Sequence, residues 1–333
     1  MKSFKDPSVR WGIIGAGSVC EVKSAPAMKK ISSSDIVAVA RRNREKAEAY
    51  AGKHNIHTWY DNGTDLILDP EVNAIYIATP PDSHLHFTQL AASAGKPVYV
   101  EKPMGRNYAE CQKMILACKN AGVPLFVAYY RRYLPHFLKM KSLIDEGVIG
   151  KVRTLHIQMS KSPETDQVPD PNNWRVDPDR AGGGYFYDLA SHQLDYLDFL
   201  FGKITRANGF STNQAGLYPA EDLVTASFEF ENGVLGTGNW CFTTADGSQT
   251  DRTIITGSKG HLEFETFGKG EFLLKTDELG EKPFQFELPE HIQYPLIDSI
   301  VKQLLGAGQC SSTGISAART NWVMEQIVSS VRS

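Results

Sequence analysis

"VRWGIIGAGSVC", residues 9–20, is the stretch on which the fold turns. An apolar run with β character ends in Gly15-Ala16-Gly17, and a helix-compatible segment follows. In that order, the first glycine permits a tight turn. The second lets the main chain approach a pyrophosphate held at the helix N-terminus. The pattern on its own is an ordinary glycine turn; its setting between strand and helix, at the head of an alternating chain, favours a dinucleotide. Gly15, Gly17, Ser18 and Val19 are therefore candidate cofactor contacts. Cys20 stands at the third position, where a small thiol must pack helix against strand.

Working outward, short apolar runs at 35–40, 73–80, 97–101 and 124–130 read as strands, with a weaker one at 56–61. Helical patterns at 44–54, 86–95 and 108–122 lie between them, and the last two end in glycine, a common helix stop. Strands this apolar, alternating with helices, predict a parallel sheet covered on both faces. The pattern changes near 126–134. A helix is expected at 134–147, then longer alternating strands at 151–160, 223–244, 252–266, 271–276 and 283–288, with Asn232-Gly233 marking a hairpin. Further helices are expected near 185–201, 292–306 and 314–331. The fold class is α/β, with a doubly wound parallel sheet over residues 1–128. A second α/β domain with a large, mostly antiparallel open sheet follows over 129–333.

Composition narrows the function. The 333 residues are 41% hydrophobic and 22% charged with net charge −3, a globular balance without the basic block that a nucleic-acid footprint requires. No apolar run approaches the ~18 residues of a membrane span, and the N-terminus has no signal-like stretch. Five scattered cysteines, none in a C-x-x-C pair, read as reduced thiols of a cytoplasmic protein. Cys111 and Cys118, seven apart on a helix, are expected to pack.

The strand tips carry the chemistry. After the second strand comes Ala40-Arg41-Arg42-Asn43, where a cofactor lacking a 2′-phosphate usually meets an acid. Two guanidiniums suit a 2′-phosphate instead, so Arg41 and Arg42 favour NADP, with NAD possible; they could also simply open a solvated helix. "IATPPDSH" (77–84) places Thr79 and Pro80 at another tip, as a stiff wall against the cofactor, with His84 beside them. His84 and His86 lack a third ligand at a sensible spacing, so no metal is expected. "PVYVEKPMGRN" (97–107) runs from a buried strand to Glu101-Lys102 and halts at Pro103. At a ligand-facing tip, Lys102 could stabilise an oxygen gaining negative charge. Glu101 could hold that ammonium or a ribose hydroxyl. A cis Lys102–Pro103 bond would specify that geometry sharply.

In "AGGGYFYDLASHQLDYLDFLFG" (181–202), Asp188 and His192 stand four apart. On an α-helix that spacing shares one face, so the carboxylate could orient or polarise the imidazole, a general acid/base near neutral pH. The same spacing is also an ordinary helix contact. Asp195 and Asp198 are expected on the helix surface.

Taken together, the glycine turn, "IATPPDSH", "EKP" (101–103), "RRYLP" (131–135) and "GGGYFYDLASHQLDYL" resemble the Gfo/Idh/MocA family, over nearly the whole chain. The resemblance implies a Rossmann NAD(P)-binding domain and a substrate-binding α/β domain whose open sheet serves dimer or tetramer contacts. It also implies an NAD(P)-dependent oxidoreductase acting on the secondary hydroxyl or ketone of a sugar, cyclic polyol or related compound. Lys102 matches the family's catalytic lysine, and Asp188 and His192 match its carboxylate–imidazole pair. On that reading His192 accepts the hydroxyl proton and Lys102 steadies the alkoxide while a hydride passes to nicotinamide. Cys20 and Arg41 depart from the family pattern, the latter because NAD-using relatives often carry an acid there. "NNWRVDP" (172–178) adds Trp174 and Arg175, and Tyr130, Tyr185 and Tyr187 add aromatic faces suited to a sugar. A loop tryptophan packs between elements about as often. The rival readings are a non-catalytic cofactor-binding regulator and a glycosidase that uses a tightly bound cofactor transiently. Retention of Lys102, Asp188 and His192 argues against the regulator.

Overall fold

The computed structural model describes residue 4 and residues 6–163 and 173–329. The chain divides into two compact units that are not contiguous in sequence. One comprises the chain up to Tyr130 together with Pro289–Ala318; the other comprises Arg131–Leu288 and the chain from Arg319 on.

In the first unit, β1 (Val9–Ile14), β2 (Ser34–Ala40), β3 (Thr58–Tyr60), β4 (Ala74–Ile77), β5 (Val98–Val100) and β6 (Leu125–Val127) form one sheet. Its order is β3-β2-β1-β4-β5-β6, and every pair is parallel. This is the strand order of a dinucleotide-binding sheet, with its ligand crevice beyond the strands' carboxyl ends. Helices α1 (Ala25–Lys30), α2 (Arg44–Lys53), α3 (Gly63–Leu68), α4 (His84–Ser93) and α5 (Tyr108–Ala121) connect the strands. β4 and β5 are buried throughout, as strands covered on both faces must be. Cys111 and Cys118 of α5 pack in their core with Ile75, Ile77, Val98 and Val100. α5 is bounded by its own sequence. The Asn107 side chain accepts from the Glu110 amide, and Gly122 takes a left-handed φ of +71° at the far end.

Residues 289–318, placed with the second domain on the sequence reading, instead complete the first unit. They supply α9 (Tyr294–Leu304) and then a cover for the sheet edge. The Val127 amide donates to the Ser312 carbonyl (3.1 Å), the Ser312 hydroxyl to the Val127 carbonyl (2.7 Å), and Phe126 bridges Thr313. Without them β6 would leave an open strand edge.

The second unit holds α6 (Pro135–Asp145), β7 (Val152–Ser160), α7 (Pro178–Ala181), α8 (Ser191–Phe201) and seven further strands. These are β8 (Ile204–Thr212), β9 (Leu223–Phe230), β10 (Leu235–Cys241), β11 (Thr250–Gly257), β12 (Gly260–Phe264), β13 (Glu271–Thr276) and β14 (Gly280–Gln285). The sheet runs β14-β13-β12-β11-β7-β10-β9-β8, and among its pairs only β7 with β10 is parallel. The Asn232-Gly233 hairpin forms as its sequence demands, with Gly233 at φ +82°. Its amide donates to the Phe230 carbonyl at 2.9 Å.

One face of this sheet carries helices. Trp240 donates to Gln193 of α8 at 2.6 Å, and Tyr196 of α8 donates to the Phe137 carbonyl of α6 at 2.8 Å. The Phe137 and Tyr196 rings lie 4.3 Å apart. Each such buried aromatic is worth roughly 1.5–3 kcal/mol relative to exposure. The last helix, α10 (Gly314–Ser329), meets the sheet at Gly209, where an added Cβ would lie 2.9 Å from Ile327 Cγ2. The other sheet face leaves Phe210 and Leu235 exposed.

Three expectations are corrected. β8 was not anticipated, because its outward residues are polar or exposed and its alternation is weak. The strand expected at 124–130 stops at Val127, and a 3₁₀ turn occupies Tyr130–Tyr133. Asp195 and Asp198, expected on the surface, are 1% and 5% exposed, because two arginines meet them inside.

Candidate functional site

Gly15 is where the first unit's crevice is built. Its φ of +86° excludes most side chains, and an added Cβ would lie 2.6 Å from Thr79 Cγ2 and 2.9 Å from the Thr79 nitrogen. The turn after β1 thus sits directly against the loop after β4. Gly17 meets almost nothing there, with one backbone oxygen at 3.7 Å from its Cβ position. Helical winding begins at Ser18, which is exposed, and Val19 is half-buried. This is an open glycine turn leading into a helix, the geometry that accepts a pyrophosphate. A π-helical segment, Cys20–Ser24, precedes α1; nothing in the composition announces it. Cys20 is buried, and burial pushes its thiol up to about 12, so it serves as a small packing group.

At the tip of β2, Arg41 is half-buried and Arg42 exposed. The Arg41 amide donates to the Tyr60 carbonyl (3.1 Å), which ties the tip of β2 to the end of β3. The chemistry of these donors and the open glycine turn both fit a phosphorylated dinucleotide.

His84, expected to face the cofactor, is 0% exposed. One ring nitrogen lies 2.8 Å from the Thr79 carbonyl and the other 3.2 Å from the Met104 carbonyl. It therefore ties the loop after β4 to the loop after β5 and offers nothing to a ligand. Burial holds its imidazole below the ordinary value. A neutral ring can donate to only one of the two carbonyls. Thr79 is half-buried and accepts from the Ser83 hydroxyl at 2.7 Å; Pro80 leads into the following turn.

Lys102, half-exposed, follows β5, and its bond to Pro103 is cis. Glu101 beside it is 9% exposed. Its Oε1 accepts from the Tyr76 hydroxyl (2.7 Å) and from Gln293 Nε2 (2.9 Å), while its Oε2 accepts from the Lys102 amide (3.2 Å). Gln293 in turn accepts from the Tyr99 hydroxyl at 2.9 Å. Burial and the nearby Glu101 keep the Tyr76 hydroxyl far above its usual pKa, so it remains a donor. Tyr76 and Gln293 were not singled out in the sequence. A tyrosine within the wholly buried strand β4 was a usable signal; nothing local marks Gln293.

The second unit carries the other candidates. Residues Phe186–Ala190 wind as a π-helix and α8 starts at Ser191. The α-helical spacing expected for Asp188 and His192 is therefore replaced by a wider turn, a feature common at functional sites. Asp188 Oδ2 lies 3.6 Å from Arg175 Nε, and the Arg175 guanidinium lies 4.7 Å over the Trp174 ring. Arg175 thus engages the candidate carboxylate itself. Asn172, at the head of that loop, lies outside the described residues. His192 is buried in the first turn of α8, with its ring edge-on to Phe267 (5.8 Å, 80°). Tyr187, Tyr185 and, at the end of the first unit, Tyr130 are all largely buried, so little of each ring is open to a ligand. Among the described residues, no helix is long and apolar enough to cross a membrane.

Comparison with known proteins agrees with this architecture. Residues 9–129 match the model of an oxidoreductase family with an NAD-binding Rossmann fold, and residues 137–263 match the GFO/IDH/MocA C-terminal domain. The chain is 37% identical over 318 residues to Oxidoreductase P35 of Formosa agariphila, covering 95% of this chain and 97% of that one. It is 29% identical to the trans-1,2-dihydrobenzene-1,2-diol dehydrogenase of Bos taurus, over 76% of this chain and 73% of the other. Among solved structures, a levoglucosan dehydrogenase in complex with NADH and levoglucosan superposes with a TM-score of 0.88 at 21% identity, covering 98% and 97% of the two chains. The aldose–aldose oxidoreductase of Caulobacter crescentus superposes with a TM-score of 0.84 at 25% identity, covering 96% of each. With its NAD(P)-binding Rossmann sheet and its second α/β unit, this chain belongs to the Gfo/Idh/MocA family of oxidoreductases.

Proposed function

We propose that the protein is an NADP-dependent dehydrogenase or reductase acting on a secondary alcohol or ketone of a sugar, cyclic polyol or related cyclic alcohol. The observation that carries this is the open Gly15–Gly17 turn packed on Thr79, in a sheet whose strand β5 leads through Glu101 to Lys102. A bound nicotinamide would supply the hydride acceptor or donor. Lys102 steadies the oxygen as it gains negative charge. His192 takes or returns the hydroxyl proton, and Asp188, held by Arg175, orients the polar surroundings of that imidazole. Arg41 and Arg42 bind the 2′-phosphate, while the fixed Glu101 carboxylate sets the β5 tip. The names of the sugar- and diol-oxidising relatives support the substrate class. Trp174 and Arg175, both half-buried, are its proposed neighbours, with Tyr130 and Tyr187 offering at most a ring edge. The exposed sheet face with Phe210 and Leu235 is proposed to carry a homodimer or homotetramer contact.

Fluorescence titration with NADPH and NADH separately tests the cofactor half. NADPH binding at least tenfold tighter is expected, and it leads directly to a screen of sugars and polyols. Tighter NADH binding would reject the arginine assignment, and binding of neither would reject the enzyme. Cofactor that copurifies, with no net change in its redox state during turnover, would point to the transient-cofactor glycosidase.

A further inference from the structure

Within the second unit, the pair Arg131-Arg132 reaches two supports of His192. Arg132 is 3% exposed and grips α8 chiefly at Asp195. Its Nε lies 2.7 Å from Asp195 Oδ2, its Nη2 2.6 Å from Asp195 Oδ1, and Nη2 also donates to the Asp195 carbonyl at 3.3 Å. The same Nη2 is 3.6 Å from Asp198 Oδ1. Asp198 is then gripped from α10, with Arg319 Nε donating to Oδ2 at 2.7 Å and Nη2 donating to Oδ1. Two guanidiniums and two carboxylates thus alternate along the helix that begins one residue before His192. Arg131 takes the other side. Its Nε donates to the Thr266 carbonyl (2.9 Å), and its guanidinium lies 4.3 Å over the Phe267 ring, the ring that meets His192 edge-on.

Buried ion networks are poor sources of stability, since apolar replacements of similar volume often do as well or better. What forked arginine–carboxylate pairs do supply is a fixed geometry. The need for one is visible here. α8 is entered through the π-helical segment Phe186–Ala190, so the rotation of its first turn is not set by a continuous α-helix from the glycines at 182–184.

We propose that Arg132 and Arg319, acting through Asp195 and Asp198, are positioning residues that set the orientation of the His192 imidazole, and that Arg131 completes the setting by holding Phe267 against it. This deepens the reading of His192 as the acid/base group and rests on it for the kinetic prediction alone.

The test follows the His192 ring by ¹H–¹⁵N correlation spectroscopy of the full-length protein labelled with ¹⁵N-histidine, its signals assigned by their loss in His192→Gln. Arg132→Lys keeps the charge and loses the fork; Arg319→Gln loses the charge at a more exposed position, and Arg319→Lys restores it. In variants that unfold cooperatively, the His192 signals are expected to shift or broaden. With a substrate the wild type turns over, kcat is expected to fall at least tenfold with KM within about twofold, and Arg319→Lys to recover part of the loss seen in Arg319→Gln. Unmoved His192 signals with kcat within twofold would overturn the proposal and leave the network a structural one. If Arg132→Lys does not fold, the two Arg319 variants decide. If no substrate is turned over, the proposed function fails, while the imidazole signals alone still accept or reject the positioning.

Discussion

Gln293 Nε2 donates to Glu101 Oε1 at 2.9 Å, across 192 residues of sequence. The bond joins the residue before Lys102 to the chain segment that returns to close the first unit. Because the Glu101 carboxylate can only accept, the Gln293 amide faces it with its NH2 and takes the Tyr99 hydroxyl on its oxygen, and with Tyr76 also donating, the carboxylate is held from two sides. The β5 tip is therefore rigid before any ligand arrives, which is the condition for electrostatic stabilisation without reorganisation.

Replacing Gln293 by Leu removes one donor from the carboxylate and one acceptor from the Tyr99 hydroxyl. Leaving buried polar groups unsatisfied costs about 1–3 kcal/mol each. Urea denaturation should show a loss of about 2–4 kcal/mol, while Tyr76→Phe, which removes one donor only, should lose less. Equal stability in Gln293→Leu and wild type would show that the network contributes no net order to the tip.

Lys102→Ala should lower kcat by about 10²–10³, the usual effect of deleting one group that stabilises a developing oxyanion, with cofactor Kd changed less than threefold. Steady-state kinetics and fluorescence titration on the same preparation separate the two. Turnover near wild type would remove Lys102 from the chemistry.

Arg41→Asp should weaken NADPH binding by about 10–100-fold, the range of one or two charge-assisted hydrogen bonds. It should also bring NADH affinity level with it or above, because a carboxylate suits free ribose hydroxyls. An unchanged NADPH/NADH ratio would place the 2′-phosphate elsewhere.

Fold and chemistry were unequally legible in the sequence, and the reason is distance. The glycine turn, the apolar strands and the Glu101-Lys102-Pro103 stop are local patterns of period, backbone freedom and ring constraint, and each appears where expected. Asp195 and Asp198 looked like solvated helix charges because their partners, Arg132 and Arg319, lie 63 and 121 residues away. Gln293 was invisible for the same reason. His84 is a different case. A side chain that ties two loops together and one that touches a ligand leave the same mark in sequence, and His84 bonds the Thr79 and Met104 carbonyls. The π-helical segments have no residue signature at all, and β8 escaped because an exposed edge strand needs little apolar character.

Acid should destabilise the fold through His136. The ring is buried in α6 and lies 4.1 Å from Phe137. Burial first, and then the charge of Arg131, holds its pKa down to about 4. The folded value lies below the unfolded one, about 6.5. Between those values the unfolded chain binds a proton that the folded chain refuses, so stability is full above pH 6.5 and falls as pH drops toward 4. This group alone should remove about 2 kcal/mol between pH 7.5 and pH 5, at 1.36 kcal/mol per pH unit below 6.5. Denaturation curves at the two pH values, run on wild type and His136→Leu, isolate it: the variant should lose less stability on acidification by about that amount. An identical loss in both would mean that His136 is protonated in the folded state after all, and that the acid sensitivity belongs to another group.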